Sequence, residues 1–256
     1  MRQQSKIQVK VRGAIIGGVV PLICLPILAE KEEDLFAQAR ENIEMHPDLL
    51  EWRIDGYENV EDIERCLVIL KELRGLAGNI PILATCRAYE EGGFRALSKE
   101  RRLKLITSVA ESGLADIVDI EICNGSGFVD QVKQTALKNQ TKLILSYHNF
   151  SETPSEEFLV DKLVEGQEMG ADITKLAVMP KDAADVLTLL SATNRARNEN
   201  VQIPMVTVAM GGEGKISRVA GGLFGSDITF AVGTDSSAPG QLPIAELRQA
   251  MAALYP

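Results

Sequence analysis

The segment ADITKLAVMP (residues 171–180) is typical of a short buried strand, yet it carries a lysine, Lys175, where valine or isoleucine would pack better. Seven other apolar runs of similar length occur along the chain, and their starts lie about 24 to 35 residues apart, the length of one βα unit. The sequence therefore predicts eight strands, near residues 22–25, 49–53, 81–86, 116–121, 142–147, 172–177, 203–209 and 227–232.

The segments between these runs have helical patterns. Residues 59–73 place apolar side chains on one helical face, namely Val60, Ile63, Leu67, Leu70 and Leu73. In TPSEEFLVDKLVEG (153–166) we expect Thr153 to be the N-cap, Pro154 to take the first helical position and Glu156 to complete a capping box. Helical patterns over 182–196 and 243–254 continue the alternation of strands and helices.

Eight βα units in 256 residues have the size of a closed (β/α)8 TIM barrel, an α/β fold with a parallel sheet inside a ring of helices. A doubly wound sheet is the main alternative, but no GxGxxG fingerprint follows the first strand. Neither a composition shift nor a linker divides the series, so we expect residues 1–256 to form a single barrel domain. QVKVRGAIIG (8–17) predicts a β-hairpin, which we expect to close the bottom of the barrel.

The start of the chain is basic and leads into the apolar block AIIGGVVPLICLPILA (14–29), a combination that resembles a signal peptide. Against this, the paired glycines and the two prolines of the block would break a helix. The block is also shorter than the ~20 residues that a membrane span needs. A hairpin followed by a buried strand at LICL (22–25) fits the pattern better, so we expect a cytoplasmic protein that does not contact a membrane.

Charge and cysteine spacing exclude several classes of partner. Lys and Arg number 27 against 36 Asp and Glu, for a net charge of −9 without a basic stripe, which argues against nucleic acid. The cysteines lie 20 or more residues apart, so their spacing predicts no metal site. Cys24, Cys86 and Cys123 fall in or beside apolar runs, so we expect reduced, buried thiols and no disulfides.

Polar side chains follow the C-terminal ends of the predicted strands, the end at which barrel active sites lie. Each has a structural explanation by itself, such as a lysine stem that passes apolar neighbours, an ion pair at the barrel mouth or a satisfied core histidine. Their repetition at the same end of successive strands indicates a site instead. It would be formed by Glu51, Arg53, Arg87, Asp119, Glu121, His148 and Lys175.

A lysine and a histidine at this end of the barrel support Schiff-base chemistry. Amid apolar strand neighbours Lys175 is partly desolvated, so a neutral amine is available to attack a carbonyl. His148 on the adjacent strand is placed to move protons, and the protonated imine is an electron sink that needs no metal or organic cofactor. The loops after the last two strands add Arg218, Ser237 and Gln241 as an anion clamp, while GGEG and GGLFG are weak phosphate-loop candidates.

Six strings together resemble one family. EWRID, TCRAYEEGG, SYHNF, ADITKLAVMP, GKISRVAGGLFGSDITF and SAPGQ occur in this order from about residue 20 onward and are similar to type I 3-dehydroquinate dehydratases of the shikimate pathway. Each string alone is weak, whereas the ordered set is specific. The resemblance implies a cofactor-independent hydro-lyase that converts 3-dehydroquinate to 3-dehydroshikimate in aromatic amino acid biosynthesis, and it implies a homodimer.

The resemblance also implies roles for individual residues. Lys175 would form the imine with the C3 ketone of the substrate. His148 would remove a C2 proton and then protonate the departing C1 hydroxyl, and Glu91 would orient and charge-balance this histidine. Six residues would bind the carboxylate-bearing substrate: Arg218 its carboxylate, Ser237 and Gln241 the same end from a closing loop, and Glu51, Arg53 and Arg87 its ring hydroxyls.

Two other functions share part of this pattern. A class I aldolase acting on a phosphorylated sugar would use Lys175 and the glycine loops, with a phosphate near Gly211 to Gly214, but it would leave Arg218 without a carboxylate to hold. A non-catalytic barrel would bind an anionic metabolite without forming an imine. The sequence leaves open whether the chain serves biosynthesis or the breakdown of quinate.

Overall fold

The computed structural model describes residues 2–255, which contain a two-stranded hairpin, eight parallel strands and eight α-helices. The hairpin consists of β1 (Val9–Val11) and β2 (Ala14–Ile16). The barrel strands are β3 (Leu22–Ile27), β4 (Leu49–Arg53), β5 (Ile82–Thr85), β6 (Ile117–Glu121), β7 (Lys142–Asn149), β8 (Ile173–Val178), β9 (Met205–Ala209) and β10 (Ile228–Phe230). The helices are α1 (Glu32–Glu44), α2 (Ile63–Ala77), α3 (Lys99–Ser112), α4 (Ser126–Lys138), α5 (Glu156–Glu168), α6 (Ala183–Glu199), α7 (Lys215–Phe224) and α8 (Ile244–Ala252).

The strands form one sheet in the order β10-β3-β4-β5-β6-β7-β8-β9, so each strand lies beside its neighbours in sequence. The two edge strands, β9 and β10, meet at a single parallel bridge between Met205 and Ser226. Side chains complete this seam, because Asp227 accepts the N–H of Met205 at 2.8 Å and the Ser226 hydroxyl accepts that of Thr207 at 3.1 Å. The sheet is therefore a nearly closed barrel, as the alternation of strands and helices predicts.

The interior of the barrel is apolar at the bottom and polar at the top. Because side chains alternate along a strand, one residue of each of the eight strands faces inward at the lower level, and these residues belong to one buried cluster: Cys24, Leu49, Leu83, Ile117, Ile144, Ile173, Val206 and Ile228. Val9, Val11 and Ile16 of the hairpin are buried in the same cluster. This packing confirms that the apolar N-terminal block forms a hairpin and a barrel strand, and that the hairpin closes the bottom of the barrel.

Two details differ from the predictions. Helix α5 begins at Glu156 and its N-cap is Ser155, whose hydroxyl accepts the N–H of Phe158 at 3.4 Å. The assignment of Thr153 as the cap, Pro154 as the first helical residue and Glu156 as the capping-box partner is therefore wrong. Both serine and threonine suit a cap, and the sequence pattern cannot distinguish two hydroxyls that lie two residues apart.

The cysteines differ in a similar way. Cys24, Cys66 and Cys86 are buried free thiols, whereas Cys123 is an exposed one, so the prediction of burial is wrong for Cys123. Cys123 follows the end of β6 in a short 3-10 turn, where the alternation of the strand no longer applies. Within residues 2–255 no helix is both long enough and apolar enough to cross a membrane.

Candidate active site

A cavity opens at the C-terminal end of the barrel. Asp119 and Glu121 are buried outside its lining, whereas the other nine of the eleven predicted site residues line it. They come from the ends of β4, β7 and β8, from the segments after β5 and β10, and from α7. The nine residues are Glu51, Arg53, Arg87, Glu91, His148, Lys175, Arg218, Ser237 and Gln241. The tertiary structure therefore brings together a set that spans most of the sequence.

Lys175 points into the barrel from β8, opposite Ser146 of the neighbouring strand β7. Its side chain is nearly buried, and its Nζ lies 2.9 Å from Oδ2 of Asp119 and 4.7 Å from the centre of the Phe230 ring. The lysine nitrogen therefore reaches past its apolar strand neighbours to charged and aromatic groups. A carboxylate on β6 and an aromatic face hold this nitrogen, and both of them favour a cation.

Asp119 is fully buried and is the centre of this polar layer. Its Oδ1 accepts hydrogen bonds from Arg87 at 2.9 Å and from the Ser146 hydroxyl at 2.6 Å, while Oδ2 lies 2.9 Å from both Arg87 and Lys175. Burial alone would raise the pKa of Asp119, but the positive charges of Arg87 and Lys175 outweigh it and hold this pKa below its ordinary value. Asp119 is therefore an anion beside the lysine nitrogen.

Arg87 links Asp119 to a second buried carboxylate. Its guanidinium also donates to Glu121 at 2.8 Å, and Glu121 in turn accepts the N–H of Ala88 and pairs with the buried Arg102 of α3. Although burial opposes the charged form, the carboxylates of Asp119 and Glu121 raise the pKa of Arg87 above its usual value. The guanidinium is thereby fixed at the wall of the cavity.

His148 and Glu91 form a hydrogen-bonded pair at the mouth. Oε2 of Glu91 accepts the backbone N–H of His148 at 2.9 Å and lies 3.0 Å from Nδ1 of its ring. Burial raises the pKa of Glu91 to about 7, and burial together with Arg87 and Lys175 lowers the pKa of His148 well below its ordinary value. The imidazole is therefore neutral, and a proton on Nδ1 that is donated to Glu91 leaves Nε2 free to accept another.

His148 lies on the same face as Lys175. In the register between β7 and β8, Ser146 is opposite Lys175 and His148 is opposite Ala177, so both reactive side chains face the interior on adjacent strands. This is the arrangement expected from the sequence.

Glu51 and Arg53 are held by separate partners. Oε1 of Glu51 accepts a hydrogen bond from the Thr85 hydroxyl at 2.9 Å. Arg53 forms two hydrogen bonds to the fully buried Asp55, at 2.9 and 2.8 Å, and its guanidinium covers the ring of Phe94. The alternative that Glu51 and Arg53 are merely a structural ion pair is therefore wrong.

Arg218 is buried, yet its guanidinium has only backbone partners among the described residues. It donates to the carbonyl of Pro239 at 3.0 Å and, at 3.5 Å, to that of Phe230. Its Nε is buried without a hydrogen-bond partner in residues 2–255. Burial lowers the pKa of Arg218 to about 10, which leaves it positively charged at neutral pH. A buried cation without a protein anion has the chemistry to bind an anionic ligand group.

The loop after β10 covers this guanidinium. Pro239 accepts both the Arg218 hydrogen bond and the N–H of Gly211 at 3.0 Å, and Gly240 turns with a φ of +80°. The Gln241 side chain bonds to the backbone N–H of Ser237 at 2.8 Å and to its hydroxyl at 2.9 Å. Both polar side chains therefore stand together at the rim above Arg218.

Several side chains contribute to the site without a role that the sequence pattern predicts. Asp119 stands two residues from Glu121 on a strand, and this spacing identified its face but not its contact with Lys175. Asp55 follows Arg53 by two residues in the same way. The apolar wall had no recognisable pattern, and it consists of Phe150, Ala177, Val208, Met210 and Phe230. Across residues 2–255 no group of three or more His, Cys, Asp or Glu side chains is arranged to hold a metal ion.

Comparisons with known proteins agree with this geometry. The family model of type I 3-dehydroquinase matches residues 23–256. The chain is 44% identical over 251 residues to the 3-dehydroquinate dehydratase of Geobacillus thermodenitrificans, covering 98% of this chain and 97% of that protein. Its fold matches the solved 3-dehydroquinate dehydratase from Geobacillus kaustophilus with a TM-score of 0.96 at 44% identity, covering 99% and 98% of the two chains.

A second solved relative is the type I 3-dehydroquinate dehydratase from Clostridium difficile, whose structure contains covalently modified comenic acid. The TM-score is 0.94 at 38% identity, and the match covers 97% of this chain and 98% of that one. Since both sequence and fold agree over nearly the whole length, the chain belongs to the type I 3-dehydroquinase family.

Proposed function

We propose that this chain dehydrates 3-dehydroquinate to 3-dehydroshikimate in the shikimate pathway, through an imine on Lys175 and without a cofactor. The observation that carries the proposal is the cavity itself. It combines a buried lysine beside a carboxylate, a histidine oriented by a glutamate, and a buried guanidinium that has no protein carboxylate partner in the described residues. A substrate with a ketone, an acidic C–H next to it and a carboxylate matches these three features in turn: the ketone meets the lysine, the C–H the histidine and the carboxylate the guanidinium.

Binding places the substrate carboxylate on Arg218. A guanidinium fork suits a carboxylate because two parallel N–H donors match its two oxygens. Ser237 and Gln241 add donors from the loop above, and Glu51, Arg53 and Arg87 receive the ring hydroxyls. The loop also excludes water that would hydrolyse the imine too early.

Imine formation then joins Lys175 to the C3 ketone with loss of one water. The ammonium first gives its proton to Nε2 of His148, because the lowered pKa of Asp119 makes this carboxylate a poor proton acceptor. After the amine has added to the ketone, the imidazolium returns this proton to the carbinolamine hydroxyl, which leaves as the water and frees Nε2 again. Once the protonated imine has formed, Asp119 balances its positive charge. This charge makes the C2 proton acidic, since the electrons of the broken C–H bond move toward the iminium nitrogen.

His148 completes the reaction through two proton transfers, one from C2 and one to the C1 hydroxyl. Its Nε2 takes the C2 proton to give an enamine, then returns a proton to the C1 hydroxyl, which leaves as water while the C1–C2 double bond forms. Glu91 stabilises the imidazolium that exists between the two transfers. Hydrolysis of the imine releases the conjugated enone and restores the free amine of Lys175.

The first test is spectroscopic. Mixing the protein with 3-dehydroquinate should produce the ultraviolet absorbance of a conjugated enone, and a silent spectrum at high enzyme concentration would refute dehydration. Borohydride added during turnover should leave one covalent adduct, which mass spectrometry should locate on Lys175. Lys175→Ala should remove both signals. The control is Lys142→Ala, a lysine of β7 at the opposite end of the barrel that pairs with Asp172.

His148 is tested separately. His148→Ala should slow turnover severely and still yield the borohydride adduct, because imine formation needs Lys175 while proton transfer at C2 and C1 needs the imidazole. Wild-type turnover in this variant would remove His148 from its proposed role.

We also propose that the chain is a single domain that works as a homodimer in the cytoplasm. This rests on the family resemblance and on the continuous run of βα units. Light scattering coupled to size exclusion tests the oligomeric state, and a monomer at assay concentrations would contradict it.

A further inference from the structure

Helix α1 carries a buried glutamine, Gln38, whose side-chain amide makes four hydrogen bonds, two at its oxygen and two at its nitrogen. Its Oε1 accepts the backbone N–H groups of Leu28 at 2.7 Å and of Ala29 at 3.2 Å, in the segment just after β3. Its Nε2 donates to the Thr234 hydroxyl at 2.8 Å and to Oδ2 of Asp235 at 2.9 Å. One side chain thus joins the ends of two neighbouring barrel strands, because β10 lies next to β3.

Asn42, one turn later on α1, supports the same place. It is fully buried, its Nδ2 donates to the carbonyl of Pro26 at 3.0 Å, and its Oδ1 accepts the N–H of Thr234 at 3.3 Å. A side chain on Gly233 would collide with that oxygen, at 1.9 Å. The segment that follows β10 is therefore packed directly onto the amide face of α1.

This segment is the start of the loop that bears Ser237 and Gln241. The far end of the loop returns to its origin, since Val232 and Leu242 share a backbone hydrogen bond of 2.8 Å. Thr234, Asp235 and Ser236 are themselves exposed, so burial does not fix them. Gln38 holds the side chains of residues 234 and 235 against the barrel, while Asn42 holds only the backbone of residue 234.

We propose that Gln38 is a positioning residue for substrate binding: through its amide N–H groups it sets where the loop after β10 stands, and so places Ser237 and Gln241 over the ligand carboxylate at Arg218. Gln38 touches neither the cavity nor the reacting atoms. This inference rests on the proposed function, because its readout is the Michaelis constant for 3-dehydroquinate.

The two faces of the amide allow the loop contact to be removed alone. Gln38→Glu keeps an oxygen for the N–H groups of Leu28 and Ala29, but it replaces the donor to Asp235 by a carboxylate that repels it. Asp235→Asn alone leaves an oxygen that Gln38 still reaches. In the double variant the carboxamide at position 235 donates to the carboxylate at position 38. The hydrogen bond therefore returns with donor and acceptor exchanged.

We expect Gln38→Glu at about pH 8.5 to raise KM about fivefold, the equivalent of one hydrogen bond, with kcat nearly unchanged. Loss of ground-state and transition-state binding in equal measure has this signature. Asp235→Asn should keep the wild-type KM, and the double variant should return to it. The KM of Gln38→Glu alone should fall at lower pH, because two facing carboxyl groups then share a proton that restores the hydrogen bond. Gln131→Glu on α4 is the control for the replacement itself.

A purely structural role would give a different result. In that case Gln38→Glu would lower the unfolding midpoint, and its KM would not depend on pH. Adding Asp235→Asn would not restore the wild-type KM. Should Gln38→Glu not fold, Asp235→Ala at the exposed end of the contact replaces it as the test. We expect Asp235→Ala to raise KM by the same factor, whereas the KM of Asp235→Asn stays at the wild-type value.

The outcomes separate this inference from the proposed function. Wild-type protein without enone formation would remove the proposed function. Active wild-type protein together with an unchanged KM in Gln38→Glu, or without rescue in the double variant, would overturn the role of Gln38 alone.

Discussion

Replacing Arg218 by methionine should weaken substrate binding strongly and leave the free protein as stable as before or more so. The guanidinium is buried and has no carboxylate within the described chain, so burial costs the charged form without an ion pair to offset it. Its pKa of about 10 corresponds to roughly 3 kcal/mol against the charged state. Methionine has a similar length and carries no charge.

The expected magnitudes follow from these contacts. Arg218→Met removes about 3 kcal/mol of burial cost and loses two backbone hydrogen bonds worth about 1 kcal/mol each, so we expect a net gain near 1 kcal/mol. For a chain of this size that is a rise of about 2–4 °C in the unfolding midpoint. Loss of a buried charge pair with the substrate carboxylate costs about 2–5 kcal/mol, or about 30- to 4,000-fold in kcat/KM.

The assay combines thermal unfolding of the free protein with steady-state kinetics from the enone absorbance. Arg195→Met, at a half-buried position of α6 whose ion pairs lie at the surface, is the control for removal of an arginine, and it should change neither quantity appreciably. The reasoning would be refuted by a variant that keeps wild-type kcat/KM, or by a free protein that unfolds several degrees lower. The second result would mean that Arg218 stabilises the fold, whereas the proposal is that it is kept for binding the substrate carboxylate.

Three further outcomes are expected. The kcat/KM of the wild type should rise with pH through about 7, because protonated Glu91 donates to Nδ1 of His148 and leaves Nε2 occupied by a proton. Glu91→Gln should lose this limb, and a limb that persists would contradict the assignment. Asp55→Asn should lower the free energy of unfolding in urea by about 3–5 kcal/mol, since it leaves the buried Arg53 without its anion, and a loss below 1 kcal/mol would count against this pairing. Ser155→Ala should lower the free energy of unfolding by about 1 kcal/mol in the same assay, because it removes the N-cap of α5. An unchanged free energy of unfolding would mean that another residue caps the helix.

The fold was predictable because its signals are local and repeated. Each strand is a short apolar run and each helix has its own periodicity, and the near-constant spacing of the units identifies the barrel before any contact is known. The cap of α5 and the exposure of Cys123 were predicted wrongly for the same reason. Both lie at the ends of elements, where strand and helix periodicity stop and the local sequence permits more than one arrangement.

The candidate site was predictable as a set of residues and not as a set of contacts. Strand alternation identifies Glu51, Asp119 and Lys175 as inward-facing, and the ordered motifs identify the family. The partner of Lys175 was missed, since an aspartate 56 positions earlier on β6 meets it only when the two strands lie two apart in the closed sheet.

By itself the sequence determined which residues face the barrel interior, since the two-residue period of a strand is a local property. The tertiary structure alone decided which charges meet there. It placed the Asp119 carboxylate against the nitrogen of Lys175, and left Arg218 buried with only backbone carbonyls as partners among residues 2–255. The physical reason is that the energy of a buried charge depends on its distance to other charges, and those distances exist only once the sheet has closed.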